Sequence, residues 1–273
     1  MMRALWTAAS GMTTQQTNVD VIANNLSNVN TTGYKTQTAQ FKTLLYQTIQ
    51  SKTTSANGET KPIGAQVGLG VRNAAITTSF KQGPLNQTDL DTDFAIDGKG
   101  FFAVQNLDGE TVYTRNGAFN WSIGNEEGGV MLCTSEGFPV LDTYGLPIEL
   151  GTEYNTSKVT IDADGNVCYP DENNNPQPIG MQIGLVQFSN PNGLEKSSGS
   201  TYKETPASGI PVMEADDDTL QKSKIRQGYL EASNVQTVDE MVNLIVAQRA
   251  YEMNSKAIQA ADDMLGQANQ LKR

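Results

Sequence analysis

The chain has 273 residues, of which 37% are hydrophobic, and a formal net charge of −11 at pH 7; this length suffices for one or two packed domains that need no disulfide or metal ion to hold a core. It contains no histidine, which excludes Ser-His-Asp and Cys-His nucleophile systems, His-ligated zinc and the usual proton carrier near neutral pH. The acidity disfavours nucleic acid and anionic lipid as partners, because both are bound through clustered Lys and Arg.

The first predicted element is a long N-terminal helix ending near Gly33, because glycine readily adopts the left-handed conformation that ends helices. From Ala4 to Asn30 it would measure about 40 Å. A seven-residue repeat typical of a coiled-coil seam runs along it: Leu5, Met12, Val19 and Leu26. Three residues interleave with that repeat: Ala9, Gln16 and Ala23. With no signal-peptide pattern and no stretch approaching ~20 apolar residues, these signals alone predict a cytosolic protein without membrane insertion.

Residues 37–75 are predicted to be an extended linking segment. Within it, residues 47–70 are rich in Gln, Thr, Ser and Gly, which favours an extended excursion over a packed element. The glycines Gly64, Gly68 and Gly70 lack the Gly-Lys-Ser/Thr and the following helix of a phosphate-binding loop. We therefore interpret them as a bend or a close approach between backbones.

The middle of the chain is predicted to be antiparallel β structure. Short β-branched and aromatic runs are separated by glycine dipeptides that supply the positive φ of tight hairpins: Asp97-Gly98, Asp108-Gly109, Asn116-Gly117 and Asp164-Gly165. Connections this short are incompatible with parallel crossovers, so a meander or barrel follows. Most of the acidity lies here, with a net charge of −11 over residues 51–230. Cys133 and Cys168, the only cysteines, are expected to be free.

Two acidic motifs in this region could carry chemistry, and for both the plainer interpretation is favoured. Four alternating carboxylates would serve a glycosidase or a hard cation only if they converged: Asp89, Asp91, Asp93 and Asp97. The stretch from Asp162 to Asn166 resembles the start of a calcium loop, but position twelve would be Asn173 rather than Glu. For the four alternating carboxylates we predict a solvated strand edge, and for the stretch from Asp162 to Asn166 a simple turn. Residues 195–218 are predicted to form a loose loop.

A second heptad pattern predicts a long C-terminal helix. One register contains Leu244, Tyr251, Ile258 and Leu265. The alternate register contains Met241, Gln248, Ser255 and Asp262, and a flank is formed by Ala247, Asn254, Ala261 and Ala268. Thr237 and Glu240 fit a capping box at its start. Each terminal helix has a long apolar seam that needs a partner.

The predicted fold class is therefore α+β, with terminal α-helices forming a coiled-coil stalk and a mostly antiparallel β domain inserted between them. The predicted domains are a helical assembly domain (residues 1–36 and 230–273), the linking segment (37–75) and a β-rich outer domain (76–229). On the pattern alone, a two-helix clamp closing one globular domain and a role in assembly both stay open.

Both ends of the chain resemble the flagellar rod and hook proteins. The matching stretches are residues 23–35, ANNLSNVNTTGYK, and residues 233–265, which include AQRAYEMNSK. The residues that carry the resemblance are Asn24, Asn25, Asn28, Gly33, Asn234, Gln248, Arg249, Asn254 and Ser255. Three internal runs resemble a rod subunit rather than the hook: residues 41–49, 68–71 and 95–102. The resemblance weakens at residues 120–130 and 195–218.

The resemblance implies a structural subunit rather than an enzyme, with no cofactor and no bound metal. It implies a helical homopolymer in the flagellar basal body, outside the inner membrane, whose partners are other rod subunits, hook subunits and surrounding ring proteins. It also implies type III export of an unprocessed chain, helices lining a hollow tube and the β domain outside them. It implies a position in the distal part of the rod; the alternatives are the proximal rod, the hook, a secreted carbohydrate-active enzyme using the acidic residues, or a calcium-stabilised adhesin. Leu26→Asp or Ile258→Asp is expected to abolish polymerisation.

Overall fold

The computed structural model describes residues 2–50, 53–54, 60–61, 64–124, 128–171, 175–216 and 219–270. A long helix lies at each end of the chain, and the strands between them pair antiparallel, so the predicted α+β class is confirmed. The chain divides into two compact units. We call Met1–Ser27, Gln37–Thr78 and Gln236–Arg273 the helical unit, and Asn28–Thr36 with Ser79–Val235 the β unit.

The helical unit consists of α1 (Met2–Ser27) packed against α2 (Thr237–Gln270), together with a strand ribbon that also contacts α1. Its described strands are β1 (Gln37–Thr43), β2 (Tyr46–Gln50), β3 (Thr53–Thr54), β4 (Thr60–Lys61), β5 (Ala65–Gly68) and β6 (Val71–Thr78). β1 pairs with β6, β2 with β5 and β3 with β4, all antiparallel. The described part of residues 47–70, predicted to be an extended excursion, contains the paired strands β2–β5 and β3–β4, and β2 and most of β5 are exposed. Residues 51–52, 55–59 and 62–63 lie outside the described residues.

The β unit contains the remaining strands and two short 3-10 helices, Thr156–Lys158 and Pro191–Gly193. Its described strands are β7 (Leu85–Gln87), β8 (Phe94–Asp97), β9 (Phe101–Gln105), β10 (Thr111–Thr114), β11 (Phe119–Ile123), β12 (Val130–Thr134), β13 (Glu149–Leu150), β14 (Thr160–Ile161), β15 (Asn166–Pro170), β16 (Pro176–Gln182), β17 (Leu185–Gln187), β18 (Glu195–Lys196), β19 (Thr201–Lys203), β20 (Val212–Met213), β21 (Lys224–Gln227) and β22 (Tyr229–Glu231).

These strands form several small sheets around the unit's own core. The largest has the order β18-β19-β10-β9-β17-β20, and β11-β12-β13 and β14-β15-β16 form three-stranded sheets. β8 pairs with β21, and β7 with β22. One apolar cluster surrounds Phe102 and Phe119, whose ring centroids lie 5.1 Å apart. A second surrounds Phe101 and Phe188, at 5.8 Å. Because both clusters lie within the β unit, it has a hydrophobic core of its own.

The hairpin predictions are half right. Gly109 and Gly165 have φ of +81° and +86° and lie in the β9–β10 and β14–β15 hairpins. The other two dipeptides do not make hairpins. β8, before Gly98, pairs with β21 instead of β9, and β10 and β11, on either side of Gly117, lie in different sheets. A turn dipeptide specifies only the local backbone conformation. Which strands pair also depends on side-chain packing against strands that are distant in the sequence.

The helix ends also differ from the prediction. α1 ends at Ser27 rather than Asn30, and a turn in which Thr31 N donates to Asn28 O follows it. α2 begins at Thr237. Glu240 N donates to Gln236 O, so Gln236 occupies the N-cap position that precedes the helix. The predicted capping box would require Thr237 at that position.

Three further predictions concern the cysteines, membrane-spanning helices and the segment of residues 195–218. Cys133 and Cys168 are free and buried, and burial raises the pKa of both thiols. Among the described residues, no helix combines the length and apolarity needed to cross a membrane. The loose loop predicted at residues 195–218 contains β18, β19 and β20. Residues 217–218, Asn173 and residues 125–127, the last within the stretch 120–130 where the family resemblance weakens, lie outside the described residues.

Candidate assembly surface and chain junction

α1 buries a face that is shifted from the predicted seam. Its heptad residues Leu5, Met12, Val19 and Leu26 are all half-buried, and the interleaved Ala9, Gln16 and Ala23 are exposed. The fully buried residues are Ala8, Thr14, Val21, Ile22 and Asn25. The shift arises because α1 packs against two partners at once, α2 and the β1–β6 ribbon. A seven-residue repeat describes only a single helix partner.

α2 turns small residues toward α1. Ala247 and Ala261, predicted as a flank, are the most buried residues there, each 2% exposed. Of the predicted seam, Leu244, Ile258 and Leu265 are half-buried on this same face, whereas Met241 and Tyr251 are 55% and 43% exposed. Small residues at the contact let the two backbones approach closely.

The opposite face of α2 is apolar and exposed. Five side chains, which we call the outer patch, are between 54% and 71% exposed: Val238, Met241, Val242, Ile245 and Val246. They are neighbours on the helix surface, because they are linked by steps of three and four residues. Sequence reasoning missed this patch. The available signal was the density of apolar residues over positions 238–246, since a helix that is apolar all round must be buried on every side.

An open groove of about 420 Å³ lies between the two helices. It is lined by Gln16 and Val19 of α1 and by Gln248, Tyr251 and Glu252 of α2. The helical unit therefore presents a partly apolar groove in addition to the apolar outer patch.

In the β unit, a buried ion pair joins segments from opposite ends of the chain. Lys35 is 0% exposed and Glu231 1%, and their Nζ and Oε1 atoms are 2.6 Å apart. Lys35 Nζ also donates to Lys81 O at 2.9 Å, and Gly83 N donates to Glu231 Oε1 at 2.8 Å. Arg115, 2% exposed, lies with its Nη1 atom 3.7 Å from Glu231 Oε2. We call Lys35, Glu231 and Arg115 the junction cluster.

Burial dominates the electrostatics of the junction cluster. It lowers the pKa of Lys35 and of Arg115 below their ordinary values, and the Glu231 carboxylate acts in the opposite direction on both pKa values. Arg115 gains two further contacts: Nη2 donates to Gly98 O at 2.8 Å, and the guanidinium lies 5.4 Å from the centroid of the Phe101 ring. This cluster could not be predicted, because no local sequence pattern distinguishes a buried isolated Lys or Glu from an exposed one.

Asn234 ties together the same segments of the β unit. Its Oδ1 atom accepts from Thr36 N at 2.8 Å and from Thr36 Oγ1 at 2.6 Å. Its Nδ2 atom donates to Ser79 O at 2.8 Å and to Lys81 O at 2.9 Å. One amide side chain therefore fixes both the segment before β1 and the segment after β6.

Among the described residues, the carboxylates of the two acidic motifs do not converge on one site. Asp89 and Asp91 are exposed in a loop, Asp93 is buried, and Asp97 pairs with Arg226 at 2.8 Å, so the carboxylates do not share one face of a strand. Asp162 N donates to Asn166 O at 3.0 Å in the turn between β14 and β15. In the part of the chain that the structure describes, no group of three or more His, Cys, Asp or Glu could hold a metal ion.

Comparison with known proteins matches both ends and the middle of the chain. "Flagella basal body rod protein" matches residues 5–35, "Flagellar hook protein FlgE/F/G D1 domain" residues 95–169, and "Flagellar basal body rod FlgEFG protein C-terminal" residues 226–271. The flagellar basal-body rod protein FlgG of Borreliella burgdorferi is 48% identical over 280 residues, covering 100% of both chains. FlgG of Agrobacterium fabrum is 42% identical over 96% of this chain and 97% of its own. FlgG of Bacillus subtilis is 37% identical over 100% of each.

The chain belongs to the FlgG family of flagellar basal-body rod proteins. Membership makes it a structural subunit of the flagellar rod and places it in the flagellar basal body. Most of α1, all of α2 and the Lys35 and Glu231 residues of the junction cluster fall within the stretches that match rod families.

The residues that carry the FlgG-family resemblance have distinct surroundings. Asn25 is 0% exposed and makes two hydrogen bonds to the backbone of Gln37, donating to its O at 2.8 Å and accepting from its N at 2.9 Å. Asn254 packs against Gly11, where a Cβ would lie 2.9 Å from Asn254 Nδ2. On α2, Gln248 is exposed in the groove, Arg249 is exposed and paired with Glu252, and Ser255 is half-buried. At the end of α1, Asn24 is exposed, and the half-buried Asn28 accepts a hydrogen bond from Thr31 through its Oδ1 atom.

Gly33 is required by both its conformation and its neighbours. Its φ is +70°, and a Cβ there would lie 2.8 Å from the backbone of Arg115 and Asn116. Gly33→Ala is therefore expected to lower the free energy of unfolding by more than the ~1 kcal/mol that a positive φ alone costs alanine. Gly137→Ala is the matched control, because Gly137 has φ +85° and nothing within 4 Å of a Cβ. Urea unfolding of the two variants measures the difference, and equal losses would contradict the close approach.

Proposed function

We propose that this chain polymerises helically through its terminal helices into the distal segment of the rod, and that the polymer is a rigid hollow shaft transmitting torque from motor to hook. The single observation that carries the proposal is the outer patch of α2, five adjacent apolar side chains that are more than half exposed. Contiguous apolar patches of this kind mark protein–protein contact sites. Because the chain belongs to a family of rod proteins, many copies are expected to meet in the assembled rod.

The opposite faces of α2 make the polymer plausible in energetic terms. One face is occupied by α1, so the outer patch is free to meet another copy. Covering its five half-exposed side chains would contribute on the order of 1 kcal/mol each. A contact between different surfaces of identical copies does not close on itself, and it generates an open helical filament.

Rigidity would follow from the same packing. Apolar helix contacts repeated around and along an axis are densely packed, so they resist shear as well as stretch. In this arrangement the terminal helices line the tube and the β domain of residues 76–229 lies outside them. We further propose that the heptad residues of both helices take part in assembly beside the outer patch: Leu5, Met12, Val19, Leu26, Met241, Leu244, Tyr251, Ile258 and Leu265.

The proposal also assigns partners and a route of delivery. The chain is expected to join other rod subunits and hook subunits end to end, to turn within surrounding ring proteins, and to reach its site outside the inner membrane through the type III export apparatus. It is expected to act as a mechanical element rather than as an enzyme, in keeping with its membership of a structural family. Neither nucleic acid nor membrane insertion takes part.

The direct experiment is polymerisation of the purified full-length chain over a range of concentrations, followed by sedimentation and electron microscopy. Tubular polymers are expected above a critical concentration, and the termini should be cleaved by protease in the monomer and protected in the polymer. A chain that stays monomeric at every concentration, both alone and with preformed rods of a FlgG relative as seeds, would contradict the proposal.

A further inference from the structure

The β1–β6 ribbon of the helical unit carries two positive charges directly opposite each other. Lys42 on β1 is the cross-strand partner of Arg72 on β6, and both side chains are exposed. Among the described residues, every ion pair involves other groups, so neither cation has a carboxylate partner. Like charges directly opposite each other destabilise an antiparallel pair, so this rung works against the fold of its own ribbon.

The neighbours of Lys42 on its own face of β1 are polar. Side chains alternate between the faces of a strand, so Thr38 and Gln40 share the face of Lys42 on β1. All three are exposed. Local conflicts with the fold that persist in a natural sequence tend to lie at functional sites. The rung is therefore suited to bind an anionic partner. The polar side chains beside it favour a hydrated, charged contact over an apolar one.

The charge of the chain indicates which anion. The ribbon segment, residues 37–78, has 4 basic and 1 acidic residues, and the whole helical unit has 9 basic and 7 acidic residues, a net charge of +2. The β unit has 10 basic and 23 acidic residues, a net charge of −13. Each copy thus has a basic ribbon and an acidic β unit, and complementary potentials of this kind determine register and partner at an interface.

We propose that the Lys42/Arg72 rung of one copy docks on the acidic β unit of a neighbouring copy. This inference rests on the proposed polymerisation and adds a second, electrostatic contact to the apolar one on α2. Docking places an anion beside two cations that repel each other, and it offsets part of the repulsion among the β units of a polymer. A second copy is the occupant favoured here because the polymer presents its carboxylates at every subunit.

The test is zero-length carbodiimide cross-linking of polymers grown from an equal mixture of ¹⁴N and ¹⁵N full-length chains, read by mass spectrometry. The expected product joins Lys42 to a carboxylate of the β unit with one light and one heavy peptide, which identifies two different copies. Polymers in which Lys42 cross-links only within one copy, only to carboxylates of the helical unit, or to none, would overturn the inference while leaving the proposed function intact. Failure to polymerise would instead reject the proposed function and, with it, this contact.

A pair of variants provides an independent measure. The double variant Lys42→Gln/Arg72→Gln is expected to raise the critical concentration for polymerisation about tenfold at low salt, with the difference shrinking as salt screens the contact. The control is Lys203→Gln, because Lys203 already pairs with Glu110 within its own β unit. A double variant that polymerises as well as the control at low salt would overturn the inference.

Discussion

Ile245→Asp is expected to abolish polymerisation while leaving the monomer folded. Ile245 is 56% exposed at the centre of the outer patch, so an aspartate there is solvated in the monomer. In the proposed polymer the same carboxylate would be buried against apolar side chains, which costs several kcal/mol. Since 1.4 kcal/mol is a factor of ten in an equilibrium constant, the critical concentration should rise at least ~100-fold. Sedimentation across a concentration series measures it.

Two comparisons make this result specific to the outer patch. Asn243→Asp adds the same charge at an exposed neighbouring position outside the patch, and it should polymerise normally. Ile258→Asp, on the face of α2 turned to α1, should lower the thermal stability of the helical unit as well as block polymerisation. If Ile245→Asp formed normal polymers with an unchanged circular dichroism spectrum, the outer patch would not be an interface.

Glu231→Gln is expected to lower the free energy of unfolding of the β unit by about 3–5 kcal/mol, because it leaves the Lys35 charge buried without its counter-charge. It also weakens the acceptor that Gly83 N uses. The measurement is urea unfolding in a Trp6→Phe background, where Trp121 of β11 is the only tryptophan and reports the β unit.

The matched control is an ion pair of the same unit at the surface. Asp97 and Arg226 are 2.8 Å apart with side chains 39% and 53% exposed, so Asp97→Asn should cost less than ~1 kcal/mol. The double variant Lys35→Met/Glu231→Gln should cost less than the sum of the two single changes, because the second change removes the stranded charge. Equal losses for Glu231→Gln and Asp97→Asn would contradict a structural role for the junction cluster.

The helices were predictable because periodicity over many residues is a strong signal. Seven-residue repeats at both ends predicted α1 and α2. The Asp-Gly dipeptides that end at Gly109 and Gly165 predicted two hairpins that the structure contains. Which face of each helix is buried was only partly predictable. A heptad assumes one partner, and it could not show that α1 also packs on the ribbon or that alanines such as Ala247 form the contact on α2.

The candidate site was less predictable than the fold. The Lys35–Glu231 pair joins residues separated by 196 positions, and only the folded chain brings them together. Charged residues are rarely fully buried, so the default expectation places both at the surface. The outer patch could have been predicted from the sequence, since apolar residues at positions 238–246 surround the helix. The heptad interpretation considered only one apolar face, so it did not predict the second.

In the proposed polymer, the outer patch of α2 is covered by other copies of this chain. A cryo-electron microscopy reconstruction of the polymer, at a resolution that shows side chains, tests it most directly. We expect Val242, Ile245 and Val246 to lie within about 4.5 Å of apolar side chains from a neighbouring subunit. A tube in which these three side chains face solvent, while its subunits touch only through their β units, would contradict the account.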